Sequence, residues 1–588
     1  MKNGWSEADM LYCKTQYASR WGEALALRTY SSRLLGAEKG LVLHGGGNTS
    51  VKGEWVNILG EKIPAIFVKA SGWNLASIDP EGHSPLNLAF LQRLQQLPAL
   101  ADGEMVQVLR ANLLDPAAAT PSIETLLHAF LPHTYIDHTH ADAILTLSNQ
   151  VGGADLLAAA LGPDVIILPY VHPGFDLAKA VAEAFARAPL SRGMVLMKHG
   201  LVTWGETAQE AYLVTIELVN RAEAFIAERL VRPLTPASEV MLAEAWERYA
   251  DVAPMLRGAL ALETGNPDHP YQRFILRPLI TRDILALLGM VDGHFLLLSP
   301  PLTTDHLIRL KPLPLWLERN ATTAERIHVP IYLYRQAYQD YLEQESGGTL
   351  PAAERFDGSP RLVLMPGIGA VCVGHNSAEA EMVRDLAMQT LTVKGVIAQM
   401  DGQYEGVSAQ EQFAMEYYGP QRAKLGKAAV PPLEGRVALV TGAAGAIGSG
   451  LCRALLGQGC QLAVADLPGE ALNSLVDALR AVYGARVLPV AMDVTDPASV
   501  ADGFRQVVLN WGGLDLLVLN AGLAHVASLE KMQVEAFQRL QRVNVEGTLH
   551  LLSAVARQFR WQGTGGDVIL ISTKNVFAPG ADFGAYSA

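Results

Sequence analysis

Two histidines separated by one residue stand directly after an apolar-rich segment of the chain. His138 and His140 follow residues 131–136. If that segment is a strand, its two-residue period places both imidazoles on the same face, and neutral imidazole is the commonest metal ligand in proteins. His199 follows a second apolar run, at residues 194–198. Three histidines with one open coordination position are the ligands of a catalytic zinc centre, although an isolated pair with this spacing is more often structural.

Two loops of glycine and small polar residues precede these histidines. We predict a strand at residues 40–44 that enters the glycine-rich loop 45–50, and a strand at residues 65–69 that enters Ser71-Gly72. Glycine lets the backbone approach an anion closely, and Asn and Ser add short hydrogen-bond donors. The loops are therefore suited to a phosphate group, with ordinary glycine turns as the alternative.

A carboxylate lies between the loops and the first histidines. Ser122 and Glu124 precede an apolar run, a pattern typical of a helix N-terminus. Glu124 is then either a first-turn carboxylate or, 14 residues before His138, a general acid/base beside a metal.

The order of these five motifs over about residues 10–230 resembles the class II aldolase/adducin family. The resemblance implies zinc held by three histidines, with a glutamate that moves the proton and also touches the metal when substrate is absent. Zinc bound to oxygens of a ketose phosphate would stabilise the charge that develops as a C–C bond breaks. By the same resemblance, the zinc ligands are His138, His140 and His199, the acid/base is Glu124, and the phosphate is held by Asn48, Ser71, Gly72 and Ser122.

The chain also departs from that family's pattern. Lys198 stands where asparagine often precedes the last histidine. In relatives a tyrosine from a neighbouring subunit completes the site, and Tyr170 is the nearest candidate here. We interpret His128 and His172 as structural or as supports for the ligands. The adducin branch keeps the fold without the zinc residues, whereas this chain keeps all of them.

Composition limits the classes of protein that fit. A chain of 588 residues is too long for one core, and we predict domains at 1–232, 233–432 and 433–588. With 50% hydrophobic residues, a net charge of −13 and no long basic or apolar run, we expect neither a nucleic-acid nor a membrane partner. The first ten residues do not have the layout of a signal peptide, which favours a cytoplasmic protein. The four cysteines are scattered, which predicts buried free thiols.

Part of the middle region is weakly similar in sequence to the first domain. Residues 195–205 can be laid over residues 363–374 with one inserted residue, and less convincingly 139–142 over 303–305. Gly367 and Thr303 or Thr304 would then stand where the first copy has ligands. We interpret the region as a degenerate, metal-free second copy, with chance similarity of two β-α units as the alternative. Arg309 and Lys311 are expected to be solvated rather than anion contacts.

The last region opens on a dinucleotide-binding pattern. A short β-rich run at residues 436–441 enters a glycine turn at 442–448 and then a helical pattern, which is the geometry that places a pyrophosphate on free backbone amides. Asp466 ends the next predicted strand. A carboxylate at this place suits the ribose hydroxyls of NAD and repels the 2′-phosphate of NADP, so we predict NAD.

The remainder of this region resembles the short-chain dehydrogenases. The resemblance implies that Tyr586 exchanges the proton, Thr573 takes the place of the usual serine and Asn544 supports a water relay. Together with the glycine turn, it places the cofactor against Gly442, Ala446, Ile447, Gly448, Asp466, Asp493, Val494, Asn520, Ala521 and Gly522.

The dehydrogenase-like region stops before one expected residue. The lysine that would lower the tyrosine pKa and bind the nicotinamide ribose is expected at position 590, beyond Ala588. Either the chain is a fragment of a longer protein or its dehydrogenase half is incomplete. We favour the fragment, because a truncated parallel sheet would expose apolar surface.

Together the two halves resemble the bifunctional rhamnulose-1-phosphate aldolase/alcohol dehydrogenases. The fold class is therefore predicted as α/β: an aldolase/adducin-like domain, a middle α/β region and a truncated Rossmann domain with a doubly wound parallel sheet. The resemblance implies cleavage of a ketose 1-phosphate to dihydroxyacetone phosphate and lactaldehyde, oxidation of the aldehyde with NAD, and a homo-oligomer. The alternatives are a sugar or polyol dehydrogenase whose first domain binds substrate without cleaving it, and an adducin-like assembly module without catalysis.

Overall fold

The strands of the computed structural model, which describes residues 1–422 and 430–587, form three main sheets and one small hairpin. In chain order they are β1 Asn48–Val56, β2 Lys62–Lys69, β3 His83–Asn87, β4 Tyr135–Thr139, β5 Val165–Leu168, β6 Gly193–Leu196, β7 Gly200–Gly205, β8 Leu262–Glu263, β9 Tyr271–Gln272, β10 Ile275–Leu279, β11 Leu315–Trp316, β12 Leu362–Met365, β13 Gly369–Gly374, β14 Val437–Thr441, β15 Gln461–Asp466, β16 Val487–Ala491, β17 Leu516–Leu519 and β18 Asp567–Leu570. Residues 423–429, in the predicted middle region 233–432, lie outside the described residues.

The α-helices lie between and after these strands. They are α1 Glu7–Trp21, α2 Glu23–Ala37, α3 Leu88–Arg93, α4 Asp102–Ala111, α5 Thr125–Phe130, α6 Asp142–Ser148, α7 Gly153–Leu161, α8 Phe175–Arg187, α9 Ala208–Ala227, α10 Glu239–Leu260, α11 Arg282–Leu288, α12 Gly293–Leu297, α13 Thr304–Leu310, α14 Ala324–Ser346, α15 Ser377–Gln399, α16 Ala409–Glu416, α17 Gly419–Arg422, α18 Ala446–Gly457, α19 Glu470–Tyr483, α20 Pro497–Trp511, α21 Val534–Gln541, α22 Gly547–Gln562 and α23 Gly584–Ser587. A π-helical turn, Arg542–Glu546, joins α21 to α22, and short 3-10 helices lie at Leu75–Ser77, Pro80–Gly82, Leu94–Gln96, Ala352–Glu354, Gly484–Arg486, Leu529–Lys531 and Lys574–Val576.

The elements form two compact units. Among the described residues, the first unit comprises Met1–Leu234, Phe295–Leu313 and the segment from Met388 to residue 422. The second comprises Thr235–His294, Pro314–Ala387 and the segment from residue 430 onward. Two segments of the predicted middle region therefore fold with the first unit. The three predicted domain boundaries remain predictions.

The first unit is built on a seven-stranded sheet in the order β3-β2-β1-β4-β7-β6-β5. All neighbouring strands are antiparallel except β5 and β6, which are parallel. Alternate side chains pack on opposite faces, so that Ile66 and Val68 belong to one apolar cluster and Ala65 and Phe67 to another. The sheet places β4 and β7 side by side.

The predicted strand at residues 40–44 is not present. These residues form turns and irregular backbone, and β1 begins only at Asn48, after the glycine loop. His44, Gly45 and Gly47 have φ values of 44°, 83° and 59°, and this left-handed backbone is incompatible with an extended strand. The glycine loop therefore precedes a strand, β1, and does not follow one.

The second unit contains a four-stranded sheet that repeats part of the first sheet. Its order, β10-β13-β12-β11, has the same sequence of antiparallel, antiparallel and parallel pairs as β4-β7-β6-β5. In both sheets the central hairpin has a three-residue turn with a left-handed residue at the same place, Lys198 (φ 58°) and Gly367 (φ 78°).

This shared register corrects the alignment predicted from the sequence. No residue is inserted in the second hairpin, because the Leu196–Gly200 and Met365–Gly369 pairs enclose turns of equal length. The segment 303–305 is not the counterpart of 139–142, because β10 and α11 take the places of β4 and α6. In this register Pro278, Ile280 and Ile368 stand at the places of His138, His140 and His199. The topology supports the hypothesis of a metal-free second copy, since none of the three is a metal ligand.

The C-terminal part of the second unit is a parallel sheet in the order β16-β15-β14-β17-β18. Its central strands are apolar and buried, as expected for a parallel sheet covered by helices. The edge strand β18 is exposed along its whole length. The predicted α/β fold class, with a middle α/β domain and a C-terminal Rossmann-type parallel sheet, is confirmed.

A buried ion pair joins the middle and C-terminal parts of the second unit. Arg257 on α10 donates from both terminal nitrogens to the carboxylate of Asp515, at 2.7 and 2.6 Å. Asp515 also accepts the amide of Val437 at 2.8 Å, and Arg273 lies 3.4 Å from it. Burial by itself would raise the pKa of Asp515, but the arginines and the amide outweigh it and hold the pKa below its usual value.

The cysteines agree with the prediction from composition. Cys13, Cys372, Cys452 and Cys460 are all free and buried, as predicted. Among residues 1–422 and 430–587, no helix is both long and apolar enough to cross a membrane.

Candidate functional site

Three buried imidazoles meet in the first unit. His138 lies on β4, His140 follows its last residue, and His199 ends the turn between β6 and β7. One ligand nitrogen from each lies within 4.8 Å of the others, and the Nε2 atoms of His138 and His140 are 3.1 Å apart. Sheet pairing brings them together, because β7 lies beside β4 with Leu201 opposite Thr139.

His138 and His140 lie on one face of β4 and its extension, and a buried ion pair fixes the other face. Asp137 points away from the histidines and lies 2.6 Å from Arg28, and both side chains are fully buried. Arg28 also donates to the carbonyl of Ser50 on β1 at 3.3 Å. Asp137 is therefore a structural residue of the motif and takes no part in the histidine cluster.

Two of the three imidazoles, those of His138 and His140, are held in the form that binds metals. Burial lowers the pKa of His138 and of His140, which keeps both rings neutral. The Nδ1–H of His138 donates to the carbonyl of Leu201 at 3.1 Å, so its Nε2 lone pair faces the cluster.

Glu124 points at the same cluster. It precedes α5 without capping it, and its Oε1 lies 3.1 Å from Nε2 of His199 and 3.7 Å from Nε2 of His138. Burial by itself would raise the pKa of Glu124, but attraction to the protonated forms of His138 and His199 and the hydrogen bond with His199 outweigh it and lower the pKa, so the carboxylate is ionised. The first-turn interpretation of Glu124 therefore does not account for its side chain.

These groups fit a zinc ion. Tetrahedral zinc with Zn–N bonds of ~2.0–2.1 Å separates its ligand nitrogens by about 3.3 Å, close to the 3.1 Å between His138 and His140. Three imidazole ligands would leave a fourth position on a zinc ion, and Glu124 Oε1 lies 3.1 Å from Nε2 of His199. The three histidines are therefore a possible metal site.

The predicted phosphate-binding residues lie around one small cavity beside the histidines. Its lining includes Asn48, Ser71, Gly72 and Ser122 together with Glu124 and His199. Lys69 also lines it, and its buried ammonium donates to the carbonyls of Gly45 and Gly47 at 2.8 and 3.0 Å, which fixes the glycine loop.

Hydrogen bonds connect the anion-binding side chains to Glu124. Asn48 donates from its amide nitrogen to Ser122 Oγ at 3.2 Å and to Glu124 Oε2. His128 donates to the amide oxygen of Asn48 and accepts from Ser50 Oγ at 2.8 Å. His128 therefore orients Asn48, in line with its interpretation as a structural or supporting residue.

The departures from the family pattern have local explanations. Lys198 takes the left-handed conformation of its turn, and its ammonium donates to the carboxylate of Glu405 and, at 3.1 Å, to the carbonyl of Gly406. Tyr170 does not line the cavity, although Pro173 does. Burial raises the pKa of the Tyr170 hydroxyl. The ring of His172 packs edge-on against Tyr418.

A second, larger cavity opens at the carboxyl ends of the parallel strands. Its volume is about 790 Å³, enough for a dinucleotide cofactor. All the predicted cofactor residues except one line it: Gly442, Ala446, Ile447, Asp466, Asp493, Val494, Asn520, Ala521 and Gly522. The exception, Gly448, allows α18 to pack closely on the glycine turn, because a Cβ there would lie 2.2 Å from the carbonyl oxygen of Gly442.

The predicted proton-transfer residues lie outside this lining. Asn544 sits in the π-helical turn, and its side chain pairs with both the amide and the carbonyl of Leu523 at 2.8 and 2.9 Å. Thr573 caps a 3-10 helix, and Tyr586 lies on α23. Their roles remain predictions.

Charged residues that were not predicted also line these cavities. Asp305 lines the cavity beside His199, although it lies more than 100 positions along the chain and no motif marks it. Arg539 and Arg542 line the larger cavity. Their spacing, one helical turn, is the signal by which they could have been found.

The burial of Lys311 contradicts the prediction that this residue is solvated. Its ammonium lies 3.4 Å from the carboxylate of Glu416. A buried lysine is retained where a carboxylate compensates its charge.

Three family models match successive parts of the chain. The class II aldolase and adducin N-terminal domain matches residues 28–226, the second domain of class II aldolases matches 247–425, and short-chain dehydrogenase matches 436–588. Most residues that line the small cavity lie in the first of these matches, and all that line the large cavity lie in the third.

Curated and solved relatives cover different parts of the chain. The uncharacterized oxidoreductase YuxG of Bacillus subtilis (strain 168) is 32% identical over 584 residues, 95% of this chain and 81% of its own length. Sorbitol dehydrogenase of Cereibacter sphaeroides is 36% identical over 142 residues, 24% of this chain and 54% of that protein, so the chain spans about half of this relative. The solved N-terminal class II aldolase domain of a conserved protein from Thermoplasma acidophilum is 41% identical, covers 38% of this chain and 99% of its own, and has a TM-score of 0.34.

The chain therefore belongs to the same family as YuxG, and it joins a class II aldolase/adducin domain and a second aldolase domain to a short-chain dehydrogenase domain.

Proposed function

We propose that the first unit is a zinc-dependent aldolase. Its substrate is a ketose 1-phosphate of the rhamnulose-1-phosphate type, and its products are dihydroxyacetone phosphate and lactaldehyde. The observation that carries the proposal is the convergence of three buried imidazoles and an ionised carboxylate beside a cavity lined by anion-binding groups. A site that held only a metal ion would not need the adjoining loops of anion-binding residues.

The residues divide the work as follows. His138, His140 and His199 would hold the zinc, which when bound supplies a Lewis acid for the substrate oxygens. Glu124, which is ionised, would accept the proton of the hydroxyl that becomes the aldehyde oxygen as the C–C bond breaks, and would return that proton to the carbanion carbon of the dihydroxyacetone phosphate fragment. Asn48 keeps Glu124 oriented through its amide donor.

Substrate binding requires the cavity walls to move. The cavity has a volume of only about 20 Å³, the space of a water molecule, and a phosphorylated ketose is much larger. Loop rearrangements of more than 2 Å on binding are found in a substantial minority of complexes. The loop that holds Ser71 and Gly72 has open space on one side, since a Cβ at Gly72 would meet no atom within 4 Å.

The proposed activity is tested by release of dihydroxyacetone phosphate from ketose 1-phosphates, with and without a chelator. We expect release by the full chain that stops on chelation, is restored by zinc and is absent in His140→Ala. His328→Ala, which removes an exposed histidine of the second unit, is the matched control and should remain active. A folded, zinc-loaded chain that releases no dihydroxyacetone phosphate from any ketose 1-phosphate contradicts the proposal.

For the second unit we propose NAD-dependent oxidation of the aldehyde product. Asp466 lines the large cavity at the end of β15, where its carboxylate accepts the amides of Ala444 and Leu467, each at 2.8 Å. A second candidate, oxidation of a sugar or polyol, is favoured by the relative named sorbitol dehydrogenase. Release of dihydroxyacetone phosphate in the first assay distinguishes the two candidates, because oxidation of a sugar or polyol requires no aldol cleavage. A homo-oligomer and a cytoplasmic location also remain proposals.

Replacing Asp466 with serine is expected to lower the preference for NAD over NADP by about 10–100-fold. The change removes hydrogen bonds from a charged acceptor, worth ~1.5–3 kcal/mol, together with repulsion of a 2′-phosphate. Titration of each cofactor into the full chain by fluorescence measures the two affinities. Asp477→Asn, an exposed carboxylate on α19, is the control. An unchanged ratio of affinities in the serine variant would show that Asp466 does not select the cofactor.

A further inference from the structure

The carboxylate of Asp305 lies inside the histidine site although it belongs to a distant part of the chain. It is on the first turn of α13, and it lines the same cavity as Glu124 and His199. Its Oδ2 lies 3.9 Å from Nδ1 of His140. The segment that carries it, Phe295–Leu313, lies outside the match to the N-terminal aldolase domain and yet folds into the first unit.

The backbone that leads to Asp305 is held by three side chains. Lys394 donates its ammonium to the carbonyl of Ser299 at 2.9 Å, and Asn149 donates its amide to the carbonyl of Leu302 at 2.7 Å. The hydroxyl of Tyr404 lies 2.8 Å from the carbonyl of Pro300 and 3.0 Å from that of Pro301. Four successive carbonyls are thereby fixed, so the position of Asp305 is built into the fold.

Metal binding by His140 would require a hydrogen-bond acceptor for the other nitrogen of its ring, and this carboxylate is near that nitrogen. An imidazole that presents Nε2 to a metal carries its proton on Nδ1, and a buried N–H needs an acceptor. For His138 the acceptor is the carbonyl of Leu201. For His140 the nearby carboxylate is that of Asp305, while the backbone of Gly46 packs against the ring, since a Cβ there would lie 3.3 Å from Nδ1.

We propose that Asp305 is a positioning residue of the metal centre, which holds His140 in the tautomer whose Nε2 faces the other two histidines. The proposal rests on the metal site of the proposed function. The 3.9 Å separation becomes a hydrogen bond when the two groups approach by about 1 Å or share a water molecule. The first domain thus depends on a segment of the second aldolase domain for a complete metal site.

The test compares metal affinities of full-length variants in the absence of any sugar. Zn²⁺ affinity is measured by competition with a chromophoric chelator, and the absorption spectrum of bound Co²⁺ reports on ligand geometry. We expect Asp305→Asn to bind Zn²⁺ about 10–100-fold more weakly and to alter the Co²⁺ bands. Glu183→Gln, an exposed carboxylate on α8, should leave both unchanged.

Asp305→Glu restores the carboxylate and distinguishes positioning from a loss of folding. We expect its Zn²⁺ affinity to lie closer to that of the unaltered chain than to that of Asp305→Asn. Equal affinity of Asp305→Asn and the unaltered chain, or no recovery in a folded Asp305→Glu, overturns the proposal. If the unaltered chain itself binds no Zn²⁺, the proposed aldolase fails with it, whereas tight binding that is unaffected at Asp305 refutes this inference alone.

Discussion

Replacing Glu124 with glutamine is expected to lower the rate of aldol cleavage by about 10²–10⁴-fold while the metal stays bound. The carboxylate is ionised by its histidine neighbours and is the group placed to accept the hydroxyl proton. Glutamine has nearly the same shape and can still accept the amide of Asn48, so the site keeps its geometry and loses only its base. The measurement is kcat for dihydroxyacetone phosphate release, with the zinc content of each preparation.

The interpretation of the Glu124 variant depends on two comparisons. Glu183→Gln makes the same chemical change on the exposed surface of α8 and should retain full activity. A zinc content that falls in parallel with the rate would assign Glu124 to metal binding rather than to proton transfer. A kcat equal to that of the unaltered chain would show that another group is the base.

Replacing Asp515 with asparagine is expected to destabilise the second unit by about 3–5 kcal/mol. Asparagine removes the charge that compensates Arg257 and leaves a buried guanidinium without its anion, while Arg273 loses a neighbour at 3.4 Å. Because Arg257 belongs to α10 and Asp515 precedes β17, the pair joins the middle part of the unit to the parallel sheet. Thermal and urea unfolding, followed with NAD bound and free, measure the change.

The matched control is an exposed ion pair between two helices of the same unit. Glu247 on α10 lies 2.7 Å from Arg505 on α20, and its side chain is 71% exposed. Glu247→Gln should change the free energy of unfolding by no more than about 1 kcal/mol, because water screens exposed pairs. Equal effects of Asp515→Asn and Glu247→Gln would show that burial does not set the strength of the inner pair.

Local pattern predicted much of both sites. The spacing of His138 and His140 places them on one side of β4, and the apolar run before His199 predicts a strand that ends near it. The glycine turn at 442–448 and the acid at 466 predict the cofactor cleft, because a strand, a tight turn and a helix are determined by neighbouring residues. The strand predicted at residues 40–44 fails, because apolar composition does not reveal the left-handed backbone that follows it.

Contacts between distant residues were not accessible to that reasoning. Asp305 carries no motif and reaches His140 only because the segment before it is bonded to Lys394, Tyr404 and Asn149. In the register of the two hairpins Ile368 stands at the place of His199, one residue from the place suggested by the sequence alignment, since strand pairing rather than residue identity defines the register.

The sequence by itself determined the strand-end positions of the candidate ligands, the glycine turn before α18 and the α/β class, because each follows from side-chain chemistry and from periodicities of a few residues. The tertiary structure decided which carboxylates serve which partner. Asp137 pairs with Arg28, Asp515 with Arg257, and Asp305 lies beside His140. The physical reason is that the free energy of a buried charge depends on the groups that surround it, and those groups are brought together only by packing.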